Sequence, residues 1–353
     1  MRGAAMLRET ARNLLSGTSR LHVFGVFAVF GAALLVVVEV LTVSALVADA
    51  EEYRDSGASI VTLELPGLID GRACEALSTV PDVRAAGAMR ETEAAIATAL
   101  PGEPLRAYTT TPSFAAVVGA TDAGEGVYLP RDAAASLGRR SVSINGATIS
   151  VRGVYAYPQD GRRAGFGWAV LSPTREDDGL FDECWALIWP QRDDARRLML
   201  TTLSAGIVHS SGDPQITQLN AGRGAVFTGS ERFTTRVTQF APHAAWLFAA
   251  ALACSAVWIR RVEIASNLGV GAPRMTLFLQ HLLEVLAWSL PSAVTAGIIG
   301  LCLSATTAQT ELASLSASGV AIAGAFFSGS MVGAGIGFHV IRPHRLARYA
   351  KER

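Results

Sequence analysis

The chain is short of charge. Of its 353 residues, 17% are charged, whereas a typical soluble domain has about 25%. Half of the residues are hydrophobic, and the mean hydropathy is +0.33. Basic and acidic residues balance at 30 each, and Lys351 is the only lysine. Without a basic excess the sequence argues against a nucleic-acid partner, and its composition favours a membrane protein.

The motifs of the common hydrolytic enzymes are also missing. The sequence has no GxxxxGK[ST] phosphate loop, no HExxH, no CxxC and no GxSxG. The chain therefore does not hydrolyse a nucleotide through such a loop. We predict that it is not an enzyme and that it binds no metal or cofactor itself.

Long apolar runs divide the chain. A helix that spans a bilayer needs about 20 apolar residues, and four runs reach that length: 21–47, 240–259, 279–304 and 320–341. We predict an α-helical membrane domain with these four transmembrane helices, and a mixed α/β extracytoplasmic domain, 48–239, inserted between the first and second. A cleaved signal peptide is the alternative for the first run, because VADAEE offers an A-x-A site. That run is, however, longer than the apolar core of about 7–15 residues of a signal peptide.

Basic residues predict the orientation. Outside the predicted exported domain, they fall before the first run (Arg2, Arg8, Arg12, Arg20), between the second and third (Arg260, Arg261, Arg274) and in the tail 342–353 (Arg342, Arg345, Arg348, Lys351, Arg353). The loop between the third and fourth runs, Ala305–Ser316, has none. By the positive-inside rule both termini are cytoplasmic and 48–239 lies outside. Residues 1–20 read as a cytoplasmic amphipathic helix at the membrane interface, and 342–353 as a basic cytoplasmic tail.

Local patterns predict several elements of the exported domain. ASIVTLELPG (58–67) alternates as a strand that ends at Pro-Gly, and FAAVVGAT (114–121) reads as another strand. LPRDAAASLG (129–138) and residues 193–206 are predicted helices. Asn145-Gly146, within 141–158, is typical of a type I′ hairpin.

Cysteines and aromatic residues are sparse in this domain. Cys74 and Cys184 are predicted to form a disulfide in an oxidising compartment, with two buried free thiols as the alternative. Cys254 and Cys302 lie in predicted spans. The aromatic residues around Cys184 form core or a binding surface, and core is the favoured interpretation; they are Phe166, Trp168, Trp185 and Trp189.

The segment RRVEIASNLGVGAPRMTLFLQHLLEV (260–285) joins the second and third runs. Gly271 allows a sharp bend, and Pro273 suits the first turn of the next helix. We predict a compact elbow, with Arg260 and Arg261 at the lipid headgroups. The alternative is an ordinary loop between helices.

This segment resembles the signature of the MacB/FtsX-like ABC transporter permeases, approximately RRxEIxxxxxxGAxRxxxxxxxxxE. The positions that match without a gap are Arg260, Arg261, Glu263, Ile264, Gly271, Ala272, Arg274 and Glu284. The chain departs from the family at Asn267-Leu268, where Leu-Arg is frequent. The plan of four spans with a large exported domain, and the stretch from Gly126 to Tyr155, resemble the family as well.

The resemblance implies a permease subunit in a bacterial cytoplasmic membrane. Its elbow would dock on a separate ABC ATPase subunit that holds ATP and Mg, with Glu263 and Arg274 as the expected contacts. Two permease subunits would form a homo- or heterodimer among membrane lipid. Motion of the exported domain would export or extract a hydrophobic, peptide or lipid substrate. The alternative is an FtsX-type mechanotransmission scaffold that activates a cell-wall hydrolase outside the cell.

Three features of the spans stand out. Gly329, Gly333 and Gly337 make a smooth helix face, and we expect it to pack against the third span of the same subunit rather than at a dimer interface. Glu39 is an acid within the first span, with a predicted structural or interfacial role. Pro291 predicts a kink in the third span.

Overall fold

The computed structural model describes residues 3–17, 19–121, 124–176, 178–204, 213–307 and 312–351. Arg2, Arg353, residues 308–311 of the loop between the third and fourth spans, and the end of the helix predicted over 193–206 lie outside these ranges. The helices are α1 Gly3–Leu15, α2 Leu21–Asp55, α3 Gly71–Ala76, α4 Phe114–Val117, α5 Arg131–Leu137, α6 Ala195–Leu200, α7 Gly229–Thr234, α8 Ala241–Ile259, α9 Arg261–Gly269, α10 Arg274–Thr307, α11 Leu312–Val340 and α12 Leu346–Lys351. The strands are β1 Ile60–Asp70, β2 Val83–Ala95, β3 Leu105–Thr110, β4 Val127–Pro130, β5 Ser141–Ile144, β6 Ala147–Tyr155, β7 Ala169–Pro173, β8 Leu180–Ile188 and β9 Gln215–Gln218.

The chain divides into two compact units. The first comprises residues 1–49 and 229–353, and the second comprises Ala50–Thr228. The first unit contains helices long and apolar enough to cross a membrane, and the described residues hold four such segments. The second is a mixed α/β sheet domain. The predicted combination of four apolar helices and a mixed α/β domain is therefore confirmed.

Small residues at four-residue spacing bring the helices of the first unit together. On α2, Ala28, Ala32 and Val36 are fully buried, and on α8 so are Ala245 and Ala249. Residues four apart lie on one face of a helix, so small side chains there form a groove that a second helix can enter.

The glycines of α11 use such a groove on α8. A Cβ added at Gly333 would lie 2.1 Å from the carbonyl oxygen of Ala250, and one at Gly329 would lie 2.3 Å from that of Trp246. Gly337 likewise faces Cys254 of α8. The glycine face packs within the subunit, as expected. Its partner is the second span, α8, and not the expected third span, because the backbone of α8 comes into direct contact with the glycines.

Three of the four apolar helices, α2, α10 and α11, are longer than the predicted spans. The first runs to Asp55, the third starts at Arg274 and the fourth at Leu312. At about 1.5 Å per residue, the 35 residues of α2 exceed the bilayer core of about 30 Å. Polar residues can extend a helix beyond the apolar run that predicts it, because backbone hydrogen bonding does not depend on hydropathy. Pro291 lies within α10, and the helix continues on both sides of it.

Within the described residues, the second unit has a sheet with the strand order β5-β6-β4-β7-β3-β2-β8-β1-β9. The pairs β3–β7 and β4–β6 are parallel, and the other adjacent strands are antiparallel. Asn145 and Gly146 have φ values of 52° and 81° at the β5–β6 turn, which is the conformation that a type I′ hairpin requires.

Several element predictions in this domain were wrong. The strand β1 does not end at Pro66-Gly67, because a register shift between Glu64 and Ile69 absorbs the proline and the amide of Gly67 donates to Asp182 at 2.9 Å. Residues 114–117 form a helix, since Phe114 packs over Gly87, where no side chain intervenes. Leu129 and Pro130 belong to β4, because a residue before proline disfavours helix. Within 193–204, the described part of the helix predicted over 193–206, only Ala195–Leu200 is α-helical.

Candidate functional site

The elbow, Arg260–Arg274, is built by two breaks in the helical path. α8 ends at Ile259, and Arg260 has φ −93° and ψ 14° before α9 begins. Gly271 has φ +94°, a conformation that other residues rarely adopt, and α10 begins at Arg274 directly after Pro273. The short α9 is therefore set apart from both long helices by turns that the sequence specifies.

A buried ion network lies under the elbow. Arg260 donates from Nε and Nη2 to the two carboxylate oxygens of Glu263, at 2.9 and 2.6 Å. Its Nη1 donates to Oε2 of Glu284 on α10. His281 Nδ1 lies 3.2 Å from the same oxygen, and Asn13 of α1 donates to Glu284 Oε1 at 2.8 Å. Three residues of the sequence pattern thus meet in one cluster.

The members of this network are buried except Glu263, which reaches the surface. The side chains of Arg260, Glu284 and His281 are 8%, 6% and 5% exposed, whereas that of Glu263 is 44% exposed. The expectation that Arg260 lies at the headgroups is therefore wrong. Its guanidinium enters the interior because two carboxylates compensate its charge there. Arg261 is half-buried, with its guanidinium 5.6 Å from the ring centre of Trp258.

The other residues of the pattern shape the elbow. Ile264 is fully buried, Ala272 is half-buried and Gly271 is exposed. Arg274 is exposed, donates to the carbonyl oxygen of His339 at 3.5 Å and lies over the ring of Phe338. Ile264 thus anchors α9, and Arg274 fixes the start of α10 beside α11.

The tip of the elbow is apolar. Val270 is 88% exposed and Met275 is 63% exposed, on either side of the bend at Gly271. Val270 lies between Gly269 and Gly271, and sequence reasoning, which singled out the charged Glu263 and Arg274, missed this exposed apolar residue. We call Val270–Met275 the elbow tip.

The C-terminal segment covers the inner side of α9. Ile264 and Ala265 are fully buried in the same cluster as Tyr349 of α12, with Leu346 packed against it. Tyr349 also meets Trp258 edge-on, with ring centres 5.9 Å apart. The predicted basic tail is therefore also an apolar support that holds α9 against the helices.

A second buried ion pair lies in the same unit. Glu39 of α2 is 2% exposed and accepts from Nη2 and Nε of Arg236, at 2.9 and 3.3 Å. The guanidinium of Arg236 lies 3.9 Å from the ring centre of Phe233. Sequence reasoning singled out Glu39 and missed Arg236, which follows α7 and is 197 residues away in the chain.

In the second unit, Cys74 and Cys184 form a disulfide with their Cα atoms 5.9 Å apart. Cys184 and Trp185 are neighbours on β8, so their side chains point to opposite faces of the sheet. Trp185 and Phe166 are buried and pack together, with ring centres 5.0 Å apart. Core is thus the correct interpretation for these two aromatic residues, whereas Trp168 is 44% exposed.

The second unit has several open cavities, and two of them have contrasting linings. One, of about 310 Å³, has a mostly apolar lining that includes Val118, Leu187 and Leu219, with Arg54 and Arg162 among its polar groups. The other, of about 380 Å³, has a charged lining that includes Glu183. Burial raises the pKa of Glu183, although Trp185 and Arg163 donate hydrogen bonds to its carboxylate. Among the described residues, no group of three or more His, Cys, Asp or Glu side chains is placed to hold a metal ion.

Comparison with known proteins finds no relative by sequence and distant similarity by structure. No family model matches the chain, and no curated protein matches it significantly. Among solved structures it is similar to the periplasmic region of MacB from Actinobacillus actinomycetemcomitans, with 12% identity over 48% of this chain and 93% of that one and a TM-score of 0.33. It is also similar to a domain of a protein named as a permease from Porphyromonas gingivalis, with 10% identity over 47% and 92% and a TM-score of 0.32. TM-scores this low carry no argument about function.

Proposed function

We propose that the chain is a permease subunit of a MacB/FtsX-like ABC transporter, and that its elbow docks on a separate ATPase subunit. The observation that carries the proposal is the convergence of Arg260, Glu263 and Glu284. These residues match the family pattern in sequence, and they form one hydrogen-bonded cluster in which Arg260 and Glu284 are buried and Glu263 reaches the surface of the elbow. Burial of charged side chains costs free energy unless they are paired in a fixed geometry. The cluster therefore supports an elbow that is held rigidly enough to transmit force.

The docking contact is the elbow tip, in which Val270 supplies the apolar surface and Arg274 the charge. Val270 is almost fully exposed between two helices that are otherwise well packed. Full burial of an exposed valine side chain against a partner contributes about 1.5–3 kcal/mol. Glu263 is a weaker candidate for the docking contact than the sequence alone implies, because both of its carboxylate oxygens already accept hydrogen bonds from Arg260.

The partner supplies the chemistry in this proposal. ATP and Mg bind to the ATPase subunit, and this chain holds no cofactor. Both termini and the elbow are cytoplasmic, two permease subunits pair in the bacterial cytoplasmic membrane, and the second unit acts outside. ATP-driven motion of the elbow passes along α2 and α8 to that unit.

Transport is favoured over mechanotransmission. A protein that handles a hydrophobic substrate needs a concave apolar site, whereas a scaffold that captures a hydrolase needs only a surface. The cavity lined by Val118, Leu187 and Leu219 supports the first role. We therefore propose export or extraction of a hydrophobic, peptide or lipid substrate, with the FtsX-type scaffold as the alternative.

Purification from native membranes tests the proposal. The tagged wild type is compared with Val270→Glu and with the matched control Val226→Glu, which places the same charge on a valine that is 69% exposed in the second unit. Mass spectrometry identifies co-purifying chains, and ATPase activity is measured in the same samples.

We expect a phosphate-loop ATPase with the wild type and with Val226→Glu, and at least about a tenfold loss with Val270→Glu, since 1.4 kcal/mol corresponds to tenfold in affinity. If no ATPase accompanies any of the three in a detergent that preserves another ABC complex, the proposal is wrong. Equal retention by both variants refutes the assigned docking contact.

A further inference from the structure

The amphipathic helix α1 is fastened to α10 by a buried polar contact. Thr10 and Asn13 are 5% and 9% exposed. The side-chain amide of Asn13 donates to Oε1 of Glu284 at 2.8 Å, across 271 residues of sequence. A hydrogen bond from an amide to a buried carboxylate is charge-assisted, and losing it leaves a buried acceptor without its donor. Docking of the elbow on an ATPase does not require this contact.

The contact continues into the elbow. The other oxygen of Glu284 accepts from Arg260, and Arg260 holds both oxygens of Glu263 on α9. Three consecutive polar contacts therefore connect α1 to the elbow. Because Arg260 and Glu284 are buried, α1 cannot shift without moving Glu284 or leaving one of its oxygens without a donor.

The opposite face of α1 is exposed and basic. Arg8, Arg12 and Leu15 follow the i, i+4, i+7 spacing of one helix face, and Leu15 is 89% exposed. Within the described ranges, neither arginine forms an ion pair with a carboxylate. Guanidinium groups beside an exposed leucine match the surface of an anionic bilayer, where phosphates meet the outer part of the acyl chains.

We propose that α1 senses anionic lipid and positions the elbow. Headgroups with a net negative charge bind Arg8 and Arg12, and Asn13 passes the position of α1 to Arg260 through Glu284. Asn13 is thus a positioning residue for the elbow. The inference rests on the membrane placement in the proposed function, but its test needs no ATPase, so the two can fail separately.

The test measures the distance between α1 and the elbow in the full chain. Cys254 and Cys302 are replaced by alanine, and spin labels are attached at Ala11→Cys and Ser266→Cys, two exposed positions of α1 and α9. Distances are recorded by pulsed electron paramagnetic resonance. The chain is held in nanodiscs of phosphatidylcholine alone or of phosphatidylcholine with phosphatidylglycerol.

We expect one narrow distance distribution with phosphatidylglycerol and a broad one without it, and high salt should broaden the narrow one by screening. Asn13→Leu should give a broad distribution in both lipids, while Asn13→Gln, which keeps the amide donor, should keep the narrow distribution with phosphatidylglycerol. Arg8→Gln with Arg12→Gln should behave in phosphatidylglycerol as the wild type does without it.

Two results overturn the proposal. One is a wild-type distribution that is the same in both lipids. The other is a narrow distribution that survives Asn13→Leu in phosphatidylglycerol. The arginine variant changes only exposed side chains, so it keeps the lipid dependence testable even where Asn13→Leu does not fold.

Discussion

The buried pair of Arg260 and Glu284 allows a quantitative prediction. Arg260→Met keeps an unbranched apolar stem but removes the guanidinium, so the carboxylate of Glu284 stays buried without the cation of Arg260. Breaking a buried pair in this way costs about 3–5 kcal/mol. Glu284→Leu leaves the side-chain amide of Asn13 without its acceptor, and Arg260 stays paired with Glu263, which is 44% exposed. The partial compensation by Glu263 lowers the expected cost to about 2–4 kcal/mol.

The double variant should be far more stable than the two single losses imply. Replacing both charges by apolar residues of similar volume is often neutral, and the remaining loss is the unsatisfied amide of Asn13, about 1–3 kcal/mol. The two substitutions should therefore show a coupling free energy of at least about 2 kcal/mol, at the upper end of the range for contacting residues.

The free energy of unfolding would be measured by SDS titration in mixed micelles, followed by far-UV circular dichroism. Arg342→Met is the matched control, because Arg342 is exposed and its replacement should change stability by no more than about 0.5 kcal/mol. If the two single losses add to within about 0.5 kcal/mol of the double variant, the residues are energetically independent. That result would refute the network as the support of the elbow.

Three further predictions concern packing, the disulfide and pH. Gly333→Ala should lower the melting temperature, at a cost of about 1–3 kcal/mol or more from overpacking against Ala250; Gly335→Ala, with nothing within 4 Å of its added Cβ, should not, and equal effects of the two would contradict close α8–α11 packing. Cys74→Ala with Cys184→Ala should destabilise the second unit by up to about 4–5 kcal/mol in thermal unfolding, because the closed loop spans 110 residues; an unchanged transition would show that the bond contributes nothing. Burial raises the pKa of Glu183, so the stability that its protonated form contributes is complete below the usual glutamate pKa and is lost as the pH rises through the raised value. Glu183→Gln should flatten that loss in a pH series of melting temperatures, and an unchanged slope would argue against the cause.

The elements near the elbow show how far sequence patterns reach. Gly271 and Pro273 predicted the bend and the start of α10 because their backbone restrictions are local. The burial of Arg260 was not predictable in the same way. An Arg-Arg pair at the end of an apolar run is typical of headgroup contact, and only the approach of Glu284, 24 residues later, brings Arg260 into the interior.

The second unit gives the same contrast. Asn145-Gly146 fixed a hairpin from two residues, because few residues tolerate positive φ. Residues 114–117 alternate poorly and look extended, yet they are helical, since Phe114 lies against the backbone at Gly87. Local preference decided the first element, and a distant contact decided the second.

By itself the sequence determined the four apolar helices, the mixed α/β domain and the position of the elbow. Hydropathy and turn chemistry act over neighbouring residues, so they can be read along the chain. Only the tertiary structure decided which buried polar groups are paired: Asn13 and Arg260 with Glu284, and Arg236 with Glu39. Those partners are far apart in sequence, and whether a charge is buried beside a compensating charge depends on how the helices pack.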